Sequence, residues 1–189
     1  MTRSLVSHDS TPSTVRDVPI YALGSQEPVI DADAFIHPDA VIIGSVWIGS
    51  ESSVWPGAVL RGDEGEIRVG ARTSIQDNSV LHTMPDIPTI VGNECLIGHI
   101  VHLEACTIED GGMVGNGAMV LHRSTVRTGA IVAANSVVLY DVDVPSGAIA
   151  VGSPAVIKLG KAKPEMISQG VEVYVARAKR FRQEMRRVG

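Results

Sequence analysis

The chain has 189 residues, enough for one domain, and its hydrophobic residues make up 44% of the total although aromatic residues make up only 4%. A formal net charge of -5 argues against nucleic acid or an anionic membrane as the main partner. No apolar run approaches the roughly 18 residues that span a bilayer. Two cysteines, Cys95 and Cys106, do not make a secreted disulfide scaffold, so the cytoplasm is the expected compartment.

Three segments follow one another along the chain. Residues 1–18 are polar and lack the apolar core of a signal peptide, so we expect a disordered lead-in. Residues 19–157 carry an internal repeat and form the predicted main domain. Residues 158–189 form the third segment, a predicted amphipathic helix.

An apolar residue recurs every six positions through the middle segment, with two breaks and one short step. The breaks fall at 62–65 and 82–90, and the short step of five residues runs from Leu103 to Ile108. The recurring residues are Ile36, Ile42, Ile48, Val54, Leu60, Val69, Ile75, Leu81, Val91, Ile97, Leu103, Ile108, Val114, Val120, Val126, Val132, Val138 and Val144.

A period of six matches neither the 3.6-residue period of a helix nor the two-residue period of a strand. It is typical of a left-handed parallel β-helix, in which three hexapeptides make one triangular coil and the recurring residue points inward. Stacked coils then lie about 4.8 Å apart. An ordinary β-sandwich predicts turn signals every 8–12 residues instead. The sequence therefore predicts an all-β solenoid of hexapeptide repeats.

The third segment changes its period. Apolar residues recur there at steps of three and four, with charged residues between them, which indicates a helix with one apolar face. We expect this helix to pack along the prism or across a subunit contact. Its apolar residues are Ile167, Val171, Tyr174, Ala178, Phe181 and Met185.

The repeat also places polar residues in space. With Ile97 on a face named A, the next two faces in each coil are B and C. Arg61, His82 and Glu104 each follow the inward residue of face B by one place, in consecutive coils, so they form a column. This column puts His82 and Glu104 within reach of one atom.

A second pair of residues lies around a corner from that column. Asp77 and His99 each follow the inward residue of face A by two places. One prism alone keeps His99 apart from His82, but three prisms around a threefold axis would bring a neighbour's His99 to the His82–Glu104 pair. The arrangement therefore predicts a homotrimer with a metal site between subunits.

Several motifs together resemble the gamma-class carbonic anhydrase family over about residues 34–154. Each motif follows the repeat, and the set is far more specific than any single member. The motifs are Val54-Trp55-Pro56-Gly57-Ala58-Val59-Leu60-Arg61-Gly62-Asp63-Glu64-Gly65, Ile75-Gln76-Asp77-Asn78-Ser79-Val80-Leu81-His82, Ile97-Gly98-His99 and Gly152-Ser153-Pro154-Ala155.

The resemblance implies a trimer of left-handed β-helices with a C-terminal helix. Enzymes of the family convert carbon dioxide to bicarbonate with zinc, or with iron in some members, held by two histidines of one subunit and one of the next. Zinc lowers the pKa of its bound water to about 7, which supplies hydroxide at neutral pH. Carried over by motif, His82 and His99 are metal ligands.

The resemblance implies roles for five further residues. Arg61, Asp63 and Asp77 resemble residues of the subunit interface. Gln76, like Asp77, resembles a residue near the metal-bound water, and Glu64 resembles a carboxylate that takes part in proton transfer. We therefore expect Gln76 and Glu64 to be catalytic.

The third ligand departs from the family pattern, because Glu104 stands where the family has a histidine. Two histidines and a carboxylate are a known catalytic zinc set, so in one reading Glu104 binds the metal directly. Alternatively His102, predicted at the end of face A, reaches in if the short step distorts the coil, or the site has lost its metal. His122 is predicted one coil higher and off the column, as a surface or interface residue.

Two other functions remain open at this point. A trimer could bind a metal or another ligand without catalysis. A hexapeptide acyltransferase shares the prism but needs a catalytic histidine on a protruding loop, and the short loop at 83–89 has none.

Overall fold

The computed structural model describes residues 18–189, so the predicted lead-in lies outside the described residues except for Val18. The described chain is a left-handed parallel β-helix of about 7 turns followed by one helix, which confirms the predicted fold. Short strands stack coil upon coil in parallel register along each face.

The strands divide among the three faces. Face A is an eight-stranded sheet, and faces B and C form one twelve-stranded sheet because two long strands run around the corner between them. Those two strands are β4, Val41–Ile48, and β6, Val59–Val69.

Face A holds β3 (Phe35–Ile36), β5 (Ser53–Val54), β7 (Ser74–Ile75), β10 (Leu96–Ile97), β13 (Met113–Val114), β16 (Ile131–Val132), β19 (Ile149–Val151) and the antiparallel β20 (Val156–Lys158). Face B adds β1 (Ile20–Tyr21), β8 (Val80–His82), β11 (His102–Glu104), β14 (Met119–Val120) and β17 (Val137–Val138). Face C adds β2 (Val29–Ile30), β9 (Thr89–Val91), β12 (Thr107–Ile108), β15 (Thr125–Val126) and β18 (Asp143–Val144).

The core is a column of branched side chains along the prism axis. All the predicted inward residues are buried, and the largest of them, such as Leu60, Leu81 and Leu103, are fully enclosed. A narrow triangular coil has no room for aromatic rings, which explains the low aromatic content. Burial of this column at roughly 25 cal/mol per Å² is the main favourable term for the fold.

Corners of the prism require a left-handed backbone. Glycine or asparagine fills most positions in the corner column between faces A and B, as at Gly57 and Asn78. Ile100 occupies the same corner at φ 59° although its side chain is β-branched and 65% exposed. Such a residue is a conformational outlier, and this one directly follows His99.

Helix α1, Pro164–Glu184, lies along face A. Its upper half packs Ile167, Val171 and Val175 against Leu96. Its lower half covers Phe35 and Trp55 with Ala178, Phe181 and other residues. Gly170 makes the close approach possible, because a Cβ there would lie 2.5 Å from the Leu96 side chain.

Ion pairs fasten the helix to the prism. Arg72, near a corner of the prism, contacts Glu51 and Glu94 on the coils beside it and Glu172 on the helix, while Lys179 of the helix lies 2.6 Å from Glu51. Side-chain hydrogen bonds from Lys179 and Arg72 hold the pKa of Glu51 below its usual value. Among the described residues, no helix is long and apolar enough to cross a membrane.

Candidate metal centre

The column predicted on face B is present. Strand pairing sets Arg61 opposite His82 and His82 opposite Glu104 in three consecutive coils. Parallel strands in register stack outward side chains directly above one another. The register therefore brings an imidazole and a carboxylate together, with His82 Nδ1 3.3 Å from Glu104 Oε1.

Each ring nitrogen of His82 lies next to a different carboxylate, Nδ1 next to Glu104 and Nε2 next to Asp63. Its Nε2 lies 3.1 Å from Asp63 Oδ1, and Arg61 pairs with the other oxygen of Asp63 within the same chain. Burial would raise the pKa of Asp63, but hydrogen bonds from its own backbone amide and from Arg61 outweigh that effect and lower it. Asp63 is therefore held as a carboxylate beside His82.

Glu104 is the centre of a larger cluster. Its Oε2 lies 3.2 Å from His102 Nε2 and 3.5 Å from His122 Nε2, so three imidazoles surround one carboxylate. Burial would raise the pKa of Glu104, but hydrogen bonds from His102 and His82 outweigh it and lower the pKa. All of these groups belong to one chain.

The predicted position of His102 was wrong. His102 is not at the end of face A but begins strand β11 on face B, two places before Glu104, with Leu103 pointing inward between them. Alternate residues of a strand share one side, so His102 and Glu104 both point outward. Like Val80 and Met119, which pair with it in the adjacent coils, His102 precedes an inward residue by one place, and this position lies on face B.

His122 reaches Glu104 because of that short step. From Leu103 to the next inward residue the chain uses five residues, while one coil higher, from Val120 to Val126, it uses six. The extra residue of the higher coil is His122, and it has no counterpart directly beneath it. The missing residue in the repeat is the sequence signal that would have revealed this contact.

Thr89 ties the two coils together at the same place. Its hydroxyl donates to the carbonyl oxygen of His82 and accepts from the amide of Ala105 at 2.8 Å. Thr89 is fully buried. Sequence reasoning passed over this residue, which fixes the backbone beside both His82 and Glu104.

His99 lies on the other predicted surface. Its Nδ1 is 2.9 Å from Asp77 Oδ2, one coil below at the corner after face A, and its side chain is 42% exposed. The single chain does not bring His99 to the His82–Glu104 pair, and an exposed imidazole held by a carboxylate is available to another subunit.

The two predicted catalytic residues occupy different surroundings. Gln76 is 6% exposed and directly follows the inward residue Ile75. Glu64 is exposed in the bulge that interrupts β6 between Gly62 and Ile67. The hydroxyl of Thr83, next to His82, is buried with no hydrogen-bond partner among the described residues.

The donor set suits a transition metal. A neutral imidazole carries one N–H, so His82 can donate to only one of its two carboxylates, and a cation would relieve the other contact. Imidazole and carboxylate are ordinary zinc ligands. As the side chains stand in residues 18–189, no three His, Cys, Asp or Glu groups are arranged to hold one ion.

Comparisons with known proteins agree with the repeat. The family model described as "Bacterial transferase hexapeptide (six repeats)" matches residues 27–62. Gamma carbonic anhydrase 2, mitochondrial, of Arabidopsis thaliana is 42% identical over 102 residues, which are 51% of this chain and 37% of that protein. A carbonic anhydrase of Geobacillus kaustophilus is 38% identical over 105 residues, 56% of this chain and 58% of that protein. The match thus spans less than two thirds of either relative.

A solved structure covers much more of the chain. The crystal structure of a hexapeptide transferase family protein from Anaplasma phagocytophilum superposes with a TM-score of 0.83 and 36% sequence identity. The match covers 87% of this chain and 98% of that one. At this identity and coverage, the present chain belongs to the hexapeptide transferase family, whose repeat it carries.

Proposed function

We propose that this protein is a trimeric metalloprotein of the gamma carbonic anhydrase type that converts carbon dioxide to bicarbonate. The observation that carries the proposal is the register of His82 and Glu104 in adjacent coils, with His99 exposed around the corner. The similarity to carbonic anhydrases over about half of the chain supports the same reading.

A metal ion, zinc or alternatively iron, would be held by His82 and Glu104 of one subunit and by His99 of the partner subunit. When bound, it would supply a Lewis acid that makes water acidic enough to react near neutral pH. Asp63 and Asp77 would orient the two imidazoles, since each carboxylate lies beside one ring.

Other side chains would handle substrate and protons. We assign Gln76 the role of orienting carbon dioxide by a hydrogen bond from its amide. We assign Glu64 the role of passing the released proton to solvent, for which its exposed position is suitable. Both roles rest on the resemblance of the surrounding motifs.

A second feature of face B, next to the column of Arg61, His82 and Glu104, supports the proposed trimer. A row of outward apolar side chains runs up face B next to the Glu104 cluster, and Val80 and Met119 in this row are 36% and 45% exposed. An exposed apolar row of this kind marks a contact surface. The row consists of Val41, Val59, Val80, Met119 and Val137, interrupted by His102.

The cytoplasm remains our expectation for the compartment. It rests on Cys95 and Cys106, which are both buried and form no disulfide. Burial raises the pKa of each thiol to about 12, so neither is a reactive thiolate.

The decisive experiment measures carbon dioxide hydration by stopped flow from about pH 6.5 to 9, a range that brackets the ionisation of zinc-bound water. Metal content is measured on the same samples. We expect activity that rises with pH and follows metal content. A metal-loaded trimer without hydration activity at any pH would contradict catalysis and favour a ligand-binding homologue.

Subunit mixing tests whether the site is shared. His82→Ala and His99→Ala proteins should each be inactive. Co-expressed, they should form mixed trimers in which the His82 of one chain meets the intact His99 of the partner subunit, and part of the activity should return. Failure of mixed trimers to recover activity would refute the shared site. Sedimentation of the wild type as a monomer at micromolar concentration would refute the trimer itself.

An acyltransferase is the second candidate, because the structural relative from Anaplasma phagocytophilum bears a transferase family name. The loop from Thr83 to Thr89 would have to supply the catalytic base, and its residues include no histidine. Coenzyme A should therefore leave the thermal midpoint of this protein unchanged. A saturable rise with coenzyme A would favour the transferase.

A further inference from the structure

The carboxylate of Glu104 has two sides, and each side faces different histidines. Oε1 faces His82, while Oε2 faces His102 and His122. We propose that Glu104 Oε2, His102 and His122 form a second transition-metal site, built entirely by one chain, next to the shared site described above.

The donors are of the right chemical class. Imidazole nitrogen and carboxylate oxygen are the ligands that zinc, cobalt and nickel share in proteins. Both histidines present Nε2 to the same oxygen of Glu104. Three donors from one chain, with the remaining coordination positions left to water, are a common arrangement for an open zinc site.

The distances from Glu104 to the two histidines are close to the distance between two ligands of one ion. Two ligands bound at about 2.05 Å to a tetrahedral ion lie about 3.3 Å from each other. The two nitrogen–oxygen separations at Glu104 are 3.2 and 3.5 Å. The donors now contact one another directly, so an ion requires a small rotation of the imidazoles to admit it.

The histidines have the freedom for that rotation. In the single chain the side chain of His102 is 33% exposed and that of His122 is 30% exposed, so neither ring is packed into the core of the prism. Glu104 is less exposed and anchored by His82. The site therefore has a fixed carboxylate and two adjustable imidazoles, and an ion can bind without displacing the core.

The short step from Leu103 to Ile108 is what creates the site. A full six-residue step would place another residue beneath His122 and separate it from Glu104. The shortened coil instead lets His122 contact the coil below. The second site uses Glu104 in common with the proposed function but does not depend on carbon dioxide hydration.

Cobalt titration of the metal-free trimer tests the inference, because Co²⁺ bound by imidazole and carboxylate absorbs visible light and calorimetry counts the ions. We expect about two ions per wild-type chain and about one for the His102→Gln/His122→Gln variant, each ion needing about three protein ligands. Glutamine keeps a polar side chain there, and unchanged circular dichroism and sedimentation verify the fold.

Two further variants separate this site from the shared one. His82→Ala/His99→Ala should lose one ion and keep the other. His37→Gln, which changes a histidine paired with Asp39 outside the cluster, should keep both. If the His102/His122 variant binds as many ions as wild type, the second site is refuted. If the His82/His99 variant binds as many ions as wild type while the His102/His122 variant loses one, the second site is supported and the shared site is refuted.

Discussion

The upper coils and the coils around Glu104 differ in the regularity of their repeat. From Met113 to Val144 the six strands β13–β18 each have two residues, and the inward residues are six apart. Between Val59 and Ile108 the chain has a bulge, a loop and a short step.

The residues in contact with His82 or Glu104 belong to these irregularities or face one of them. Asp63 lies in the bulge, His82 precedes the loop, and Glu104 and His122 flank the short step. In a uniform repeat, equivalent positions of successive coils stack in one column, and side chains of different columns stay apart. The comparison therefore indicates that the regular coils stabilise the prism and that the departures from the repeat bring the residues of the candidate site together.

The largest expected effect tests the bulge directly. Gly44 and Gly147 both have a left-handed φ, of 76° and 66°. A Cβ at Gly44 would overlap the carbonyl oxygen of Gly62, whereas nothing lies within 4 Å of a Cβ at Gly147. Gly147→Ala should cost about 1 kcal/mol of unfolding free energy for the left-handed backbone.

Gly44→Ala should cost a further 1–3 kcal/mol or so, because β4 and β6 must separate. Chemical denaturation of the two variants gives the comparison. Equal losses would mean that the bulge yields easily and is not a rigid support for Asp63.

The next effect concerns the carboxylate in the metal centre. In the proposed centre Glu104 would lower the net positive charge by one unit, so water bound there should give up its proton less readily. Glu104→His should therefore speed carbon dioxide hydration near pH 7 by about tenfold, equivalent to about 1.4 kcal/mol in the barrier.

Glu104→Gln is the matched control, since it removes the charge but supplies no imidazole to replace the lost ligand. The metal should then be held less tightly, and activity should not rise. Stopped-flow rates and metal content decide the outcome. A wild type that is already fast at neutral pH would mean that Glu104 is not a ligand and that another group, such as His102, completes the site.

Much of the fold followed from sequence because the six-residue period is a local property repeated many times. The inward residues, the column of Arg61, His82 and Glu104, and the pairing of Asp77 with His99 are all consequences of counting. The same repeat also assigns His102 to face B, one place before Leu103, because the repeat is regular up to that residue and shortens only after it.

The repeat did not predict the side-chain contacts that are made across the short step. His122 is two places after Val120, and only the three-dimensional course of the shortened coil brings it to Glu104. Thr89 is likewise separated from Ala105 by 16 positions, and their hydrogen bond depends on how the loop rejoins face C.

Two buried threonines, Thr89 and Thr73, allow an effect on the metal site to be distinguished from an effect on the stability of the fold. Thr89 and Thr73 are both buried, and the hydroxyl of each bridges two coils. Replacement of either by valine should cost about 1–3 kcal/mol of unfolding free energy through unsatisfied backbone groups.

Only Thr89→Val should also weaken metal binding, by about tenfold, because it alone releases the backbone beside His82. Calorimetric titration with Zn²⁺ measures the difference. Equal metal affinities for the two variants would show that Thr89 contributes to stability alone.

The smallest effect concerns the strained corner next to His99. Ile100→Gly should raise the unfolding free energy by about 0.5–1 kcal/mol, since relief of the left-handed backbone exceeds the entropy cost of glycine. Asn78→Gly, at the same corner one coil below, should gain nothing because asparagine tolerates this conformation. If Asn78→Gly raised the unfolding free energy as much as Ile100→Gly, the backbone next to His99 would not be unusually strained.

The contact between helix α1 and the first coils has a consequence for the order in which the protein is made. Arg182 donates to the carbonyl oxygen of Ala34, 148 positions earlier, and the ring of Phe181 packs edge-on against Trp55. Coils can stack one by one as the chain leaves the ribosome, since each needs only its predecessor. The aromatic surface of Phe35 and Trp55 nevertheless stays uncovered until residues well over a hundred positions downstream have been synthesised, which at about 5–20 residues per second takes roughly 6–25 s. During that interval the first coils expose an aromatic surface that is prone to association with other chains.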